Sequence, residues 1–258
     1  MVEVQNFSEG KISIRNEDYF DSSGYSFVLA DGATDKTSVK YHGKTGGELI
    51  SRLVVKESLS SELNGTELVD LLNKKVYQLY RELGITEKVR DPIYRFACGF
   101  ICVRDTGGKI VITYLGDLGF RINGAEVYQE INQVDIENAE ERAKYIAETG
   151  DLEGSRKHIL PFLLEQFKYQ NNPQEALGYG VIDGTNTPGK FVKTFDYDKD
   201  EIRTIELITD GYFDIPQEVS IAAWEKSHAI VELEDPDKWK NYKSVKSNDD
   251  RTIAIIKF

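Results

Sequence analysis

A chain of 258 residues with 40% apolar side chains can bury a sizeable core in one large domain or two small ones. Its 44 acidic against 32 basic side chains leave a formal charge of −12, which argues against a surface that tracks nucleic acid or an anionic membrane. No apolar run approaches the ~20 residues that span a bilayer, and Met1 to Asn6 has neither the basic flank nor the apolar stretch of a secretion signal, so a cytoplasmic location is expected.

In chain order, a first strand-like stretch ends near Ile14. Arg15-Asn16-Glu17-Asp18-Tyr19-Phe20, a Ser/Gly turn at 21–24 and a strand over 25–30 then make a hairpin pattern. Two amphipathic helices are predicted next. Leu49, Leu53, Ser60 and Leu63 share a face of the first, and Leu68, Leu71, Leu72, Val76, Leu79 and Leu83 stripe the second. Asn64-Gly65 separates them, with Thr66 as N-cap and Gly84 as stop. The β-rich runs 96–103 and 109–115 form a hairpin through Arg104-Asp105-Thr106-Gly107-Gly108, and 120–122 with 126–130 form another around Asn123-Gly124.

Residues 131–189 differ: a charged helical piece (136–149), a more apolar one (158–169), then Asn171-Asn172-Pro173 and a Gly-rich segment read as an insertion between sheet strands. Strands resume at 191–195 and 202–209, a helix bearing Ile221, Trp224 and Ile230 follows, and 252–258 closes as a strand. This order fits an α+β sandwich better than alternating βαβ units, in a single domain over 1–258. Cys98 and Cys102 fall four apart on one predicted strand, about 13 Å at roughly 3.3 Å per residue, which is beyond disulfide reach and assigns both to the core.

The informative feature is a set of acids closing apolar strands. Asp31 follows Phe27-Val28-Leu29-Ala30, Asp117 follows Ile112-Thr113-Tyr114-Leu115-Gly116, Asp210 follows Leu207-Ile208-Thr209, and Asp249 precedes Ile253-Ala254-Ile255-Ile256. If those strands lie side by side, their ends make one rim, where gathered carboxylates resist ionisation unless cations sit between them. A pocket of several Asp with hardly any His or Cys suits Mg²⁺ or Mn²⁺ better than zinc. Singly, each Asp-Gly after a strand is an ordinary turn; the conjunction carries the inference.

The segments Asn16-Glu17-Asp18, Ala30-Asp31-Gly32, Gly116-Asp117, Thr209-Asp210-Gly211-Tyr212-Phe213-Asp214 and Asp249-Asp250-Arg251-Thr252, in this order, resemble the bacterial form of the type 2C metal-dependent protein serine/threonine phosphatases. The resemblance implies a four-layer α-β-β-α sandwich with two mostly antiparallel sheets flanked by helices. It implies that Asp31 bridges two Mn²⁺ or Mg²⁺ ions with the Gly32 carbonyl as a further ligand. Asp210 and Asp249 would complete the first ion's shell, Glu17 and Asp18 would face the second, and Asp117 and Asp214 would hold a weaker third. It implies hydrolysis of phosphoserine or phosphothreonine in a protein by metal-activated water, in a monomer working beside a cognate Ser/Thr kinase, with no nucleic acid or membrane as partner.

The chain departs from that family at three places. The phosphate-binding Arg usually lies a few residues further ahead of Asn-Glu-Asp, whereas here Arg15 adjoins Asn16. No Gly-Gly-His-like run follows Asp31-Gly32, which leaves His42 as the general-acid candidate and Lys36 or Lys40 as sources of positive charge. Leu118-Gly119 replaces the usual Ser-Arg; Arg121 could substitute if its side chain turns inward, but as the next charged residue on a strand it is expected at the surface. His158 and His228 read as helix-surface residues, and Tyr145, Phe162, Phe167 and Tyr169 as packing at helical spacing. Residues 131–189 match in position a flap beside the family's metal site and are expected to select substrate. Two other functions stay open: a catalytically weak relative that binds a phosphoprotein or regulatory partner, and a two-metal hydrolase of small phosphate esters.

Overall fold

The computed structural model of the chain describes residues 2–11, 15–33, 37 and 39–258. Lys36 and the predicted end of the first strand at Ile14 lie outside the described residues. Ten strands form two antiparallel five-stranded sheets among them. The first has the order β1-β10-β9-β6-β7, from β1 (Glu3–Glu9), β10 (Arg251–Lys257), β9 (Thr204–Ile208), β6 (Gly119–Ile122) and β7 (Glu126–Gln129). The second has the order β2-β3-β4-β5-β8, from β2 (Asp18–Ser23), β3 (Ser26–Gly32), β4 (Cys98–Asp105), β5 (Lys109–Leu115) and β8 (Lys193–Asp198).

The period-two geometry of a strand explains why the central runs are apolar throughout. Along β3 and β4, Phe27, Leu29, Ile101 and Val103 point between the sheets, where they meet Phe120, Leu207, Ala254 and Ile256. Their alternates Val28, Ala30, Phe100 and Cys102 point the other way, against helices α1 (Gly46–Leu59) and α2 (Gly65–Glu82). On the outer face of the first sheet, Ile253, Ile255 and Ile208 pack on Trp224 of α6 (Ile221–Glu234). Helices, sheet, sheet, helix: the four-layer α+β sandwich that the sequence resemblance implies is the architecture of the chain.

Several local expectations shift. The face of α1 that enters the core carries Ile50, Val54 and Val55, with Leu49 and Leu53 at its margin and Leu63 39% exposed beyond the helix. α2 begins one residue before Thr66, with Asn64 as its N-cap. β1 ends at Glu9, and the β2–β3 turn is the tight Gly24-Tyr25 pair. Asn123 and Gly124 turn the β6–β7 hairpin with φ of 53° and 68°, the left-handed pair that a two-residue turn requires. Both cysteines are free and buried. Arg121, expected at the surface, is 2% exposed under α6 and forks onto Glu206 (2.5 and 2.7 Å), because the outer face of this sheet is itself covered by a helix.

The 131–189 segment folds as α3 (Gln133–Thr149), α4 (Leu152–His158) and α5 (Leu160–Glu165) with irregular chain beyond. The guanidinium of Arg142 on α3, 2% exposed, ties the segment to the loop before β10. It donates to the carbonyls of Asp237, Lys238 and Ser244 at 2.9–3.0 Å and to the hydroxyls of Ser155 and Ser247. Arg156 on α4 adds a bond to the Val245 carbonyl at 2.6 Å.

Candidate metal centre

Antiparallel neighbours start and end at the same edge of a sheet, so β2 and β10 begin where β3, β5 and β9 finish. Asp18 opens β2, Asp31 closes β3, Asp117 stands in the crossing from β5 to β6, and Asp210 and Asp249 flank β9 and β10. The rim expected from the strand ends therefore exists. A cleft of about 360 Å³ opens beside it, lined at its floor by Asp31, Gly32, Asp117 and Asp210. Its walls are Tyr94, Arg95 and Phe96 on one side and Ile131, Asn132, Asp135, Arg156, Phe167 and Tyr179 on the other.

Asp18 joins the two sheets. Its register places it directly opposite Asp31 across the β2–β3 ladder, a like-charge pair that costs stability when both ionise. One of its oxygens, Oδ2, accepts from the hydroxyls of Thr209 (2.9 Å) and Thr252 (2.8 Å) in the other sheet. The other, Oδ1, is buried with no hydrogen-bond partner among the described residues.

The electrostatics follow from burial and crowding. Burial, then Asp250, pushes the Asp18 carboxyl up to about 8 against the pull of the Thr252 and Thr209 hydroxyls. Burial with Asp210 and Asp135 pushes Asp117 up to about 8. Asp31 is raised well above the usual carboxylate range by burial and by Asp18, Asp210, Asp117 and Asp249. Burial raises Asp249 only to about 6, because Lys246 offsets it. A floor of mutually repelling oxygens with one orphaned, buried acceptor matches hard divalent cations in donor type and charge.

Protein groups already hold many of these oxygens. Lys246 pairs with Asp249 through Nζ and Oδ2. Glu17 accepts from Lys11 at 2.9 Å and from the Thr45 hydroxyl at 2.5 Å, and Asp250 accepts from Lys11 Nζ at 3.0 Å and from the Glu17 N–H at 3.1 Å. Asn132 donates to Asp117 at 3.1 Å. Among the described residues, accordingly, no three Asp, Glu, His or Cys side chains close on one point as a ready-made metal cage.

Gly32 sets how near α1 comes. A Cβ there would lie 2.4 Å from the Gly47 carbonyl oxygen, so only glycine lets the helix start abut the end of β3. Thr45 caps that helix in a reciprocal box with Glu48, and its hydroxyl also donates to Glu17.

The structure does not bring every predicted residue to the rim. His42 is exposed in a turn between Tyr41 and Lys44 with φ of 51°; Tyr41 lines the cleft and His42 does not. Asp214 is exposed and accepts from the Tyr242 hydroxyl at 2.7 Å, because the chain turns outward after Phe213. Arg15 is half-buried and does not line the cleft. Among the described residues, the cations that line the cleft are instead Arg95, Arg156, Lys243 and Lys246. Asp135 and Lys246 were not legible as site residues, since both belong to irregular or inserted stretches; the one available signal was Lys246 three residues before Asp249.

No protein-family model matches this sequence, and no curated protein matches it at a significant level. Solved structures do. The serine/threonine phosphatase Stp1 from Staphylococcus aureus is similar over 100% of this chain and 95% of its own, at 17% identity and a TM-score of 0.54. The Mycobacterium tuberculosis serine/threonine phosphatase PstP is similar over 100% of this chain and 98% of its own, at 16% identity and a TM-score of 0.54. The catalytic domain of PstP in complex with two manganese ions is similar over 99% of this chain and 97% of its own, at 14% identity and a TM-score of 0.51. The chain has the fold of the bacterial serine/threonine phosphatases.

Proposed function

We propose that the protein is a Mn²⁺- or Mg²⁺-dependent phosphatase that hydrolyses phosphoserine or phosphothreonine in a protein. The observation that carries this is the buried aspartate rim at the floor of an open cleft, with Asp18 Oδ1 left without a protein partner. The fold it shares with serine/threonine phosphatases, one of them crystallised with two manganese ions, supports the same reading.

Asp31, with the Gly32 carbonyl, and Asp210 and Asp249 would hold one ion; Asp31 and Asp18 would face a second. Divalent ions at these carboxylates supply positive charge to the phosphoryl oxygens and an acidified water. The chain's own groups do the rest. Thr209 and Thr252 fix the Asp18 carboxylate, and Arg95 and Arg156 offer positive charge to an incoming phosphate from the cleft walls. Tyr94, Phe96, Ile131 and Phe167 shield the floor from bulk water and give the residues flanking a phosphorylated side chain an apolar surface. Through Ile131 and Phe167 the 131–189 segment would take part in substrate selection within one phosphatase domain. The carboxylate Glu17, held by Lys11 and Thr45, would serve the site by fixing the backbone at Asp18, and the outward Asp214 would hold no ion. A cytoplasmic monomer opposing a Ser/Thr kinase is the setting this activity implies.

The test is hydrolysis of an aryl phosphate and of phosphopeptides with and without Mn²⁺. Activity should require the metal, vanish with chelator, and fall by about 10³-fold or more in Asp31→Asn and Asp210→Asn. Robust turnover in either variant would overturn the metal assignment.

A further inference from the structure

We propose that Lys246 is a tethered competitor for the divalent cation, so that its ammonium sets how much metal the protein needs. The proposal rests on the metal-dependent reading above and concerns this chain's own lysine.

Lys246 reaches the rim from the loop before β10. Its Nζ pairs with Asp249, Asp210 and Asp31 also attract its charge, and it lines the cleft with Asp31, Asp117 and Asp210. Those three partners, Asp249, Asp210 and Asp31, are the ones assigned to the first ion. The ammonium is also delivered rather than adventitious. Arg142 holds the Ser244 carbonyl and the Ser247 hydroxyl, and Arg156 holds the Val245 carbonyl, so the chain is pinned through its backbone before Lys246 and through a side chain after it.

A lysine ammonium is a compact cation with three donors on a flexible four-carbon stem. Among these carboxylates it neutralises charge and draws Asp249 towards itself, in keeping with the lack of a ready-made cage among the described residues. A divalent ion entering here meets like charge at close range and must expel it. The side chain is 26% exposed at the edge of the open cleft, which gives the ammonium somewhere to go. Lys11 pairs instead with Glu17 and Asp250, and its charge also acts on Asp249 and Lys246.

The experiment is calorimetric titration with Mn²⁺ at pH 8 of wild type, Lys246→Met and Lys246→Arg, with thermal unfolding of each in chelator and in saturating Mn²⁺. Lys246→Met should bind Mn²⁺ about tenfold more tightly than wild type, tenfold being 1.4 kcal/mol. It should also melt lower in chelator and gain more from Mn²⁺, while Lys246→Arg, which keeps the charge, should bind like wild type. Equal or weaker Mn²⁺ binding by a folded Lys246→Met would overturn the proposal. If Lys246→Met instead kept wild-type Mn²⁺ affinity and lost affinity for inorganic phosphate, Lys246 would be a phosphate ligand and the proposal would fall while the metal reading stood. No Mn²⁺ binding by any of the three would refute the metal reading itself, and the competitor with it.

Discussion

Asp18→Asn separates the cost of the rim from its use. The unfolded carboxyl gives up its proton near pH 3.8 and the native one near pH 8. Between those values the unfolded chain binds fewer protons than the native one, so the stability of the chelated protein falls as pH rises, by about 1.4 kcal/mol per pH interval. From about pH 4 to pH 7 this amounts to roughly 4 kcal/mol, and above pH 8 the loss stops growing. Asparagine carries no charge at any pH and keeps an oxygen for the Thr209 and Thr252 hydroxyls. If half the gain is lost to fitting its amide where Oδ1 now lies, about 2 kcal/mol remains at pH 7, or about 5 °C in Tm for a chain of this size. Thermal unfolding in chelator at pH 4 and pH 8 measures it: the variant should melt higher than wild type at pH 8 and lower at pH 4, where the fitting cost remains and the charge gain is gone. Added Mn²⁺ should raise wild type at pH 8 more than the variant, which keeps the carboxylates assigned to the first ion and loses one that faces the second. A variant that melts lower than wild type at pH 8 in chelator would refute the claim that ionised Asp18 is a liability of the metal-free fold.

Gly32→Ala places a methyl 2.4 Å from the Gly47 carbonyl oxygen, a backbone atom that cannot rotate away, so urea unfolding should show a loss of about 1–3 kcal/mol. Replacing Thr209 and Thr252 together by Val removes both donors to Asp18, and Mn²⁺ affinity should fall about tenfold by calorimetry with the fold retained. Arg142→Met removes five hydrogen bonds, to three carbonyls and two hydroxyls, and should cost about 3 kcal/mol, with limited proteolysis detecting earlier cleavage at 235–248 than in wild type.

The strands and the acids that end them could be read from the sequence because period-two apolar runs and the residues that stop them are local signals. Phe27 to Ala30 and Phe100 to Val103 show the limit of that reading: their continuous burial says that both faces are covered, and only tertiary pairing says by what. The four-layer architecture was legible through the order of the acidic motifs. Arg121 was misjudged because its charge alone pointed to the surface, while α6 covers that face of the strand and Glu206 supplies the partner. His42 was the general-acid candidate left by the missing Gly-Gly-His-like run and Asp214 a third-ion ligand implied by the resemblance; a left-handed turn in one case and an outward turn in the other carry them away. Lys246 and Asp135 left almost no trace, since a side chain brought to a site by a loop or an inserted helix has no periodicity to announce it.

The five donors of Arg142 bear on how such a protein could be re-engineered. Its cage spans the inserted helices and the loop that carries Lys246, so the wall of the cleft and the approach to its floor are not interchangeable parts. A graft of residues 131–189 from another protein would arrive without the matching carbonyls. New specificity would therefore have to be transplanted as two segments, 131–189 and 235–248, or else sought in Tyr94 and Phe96, which reach the cleft from outside that linkage.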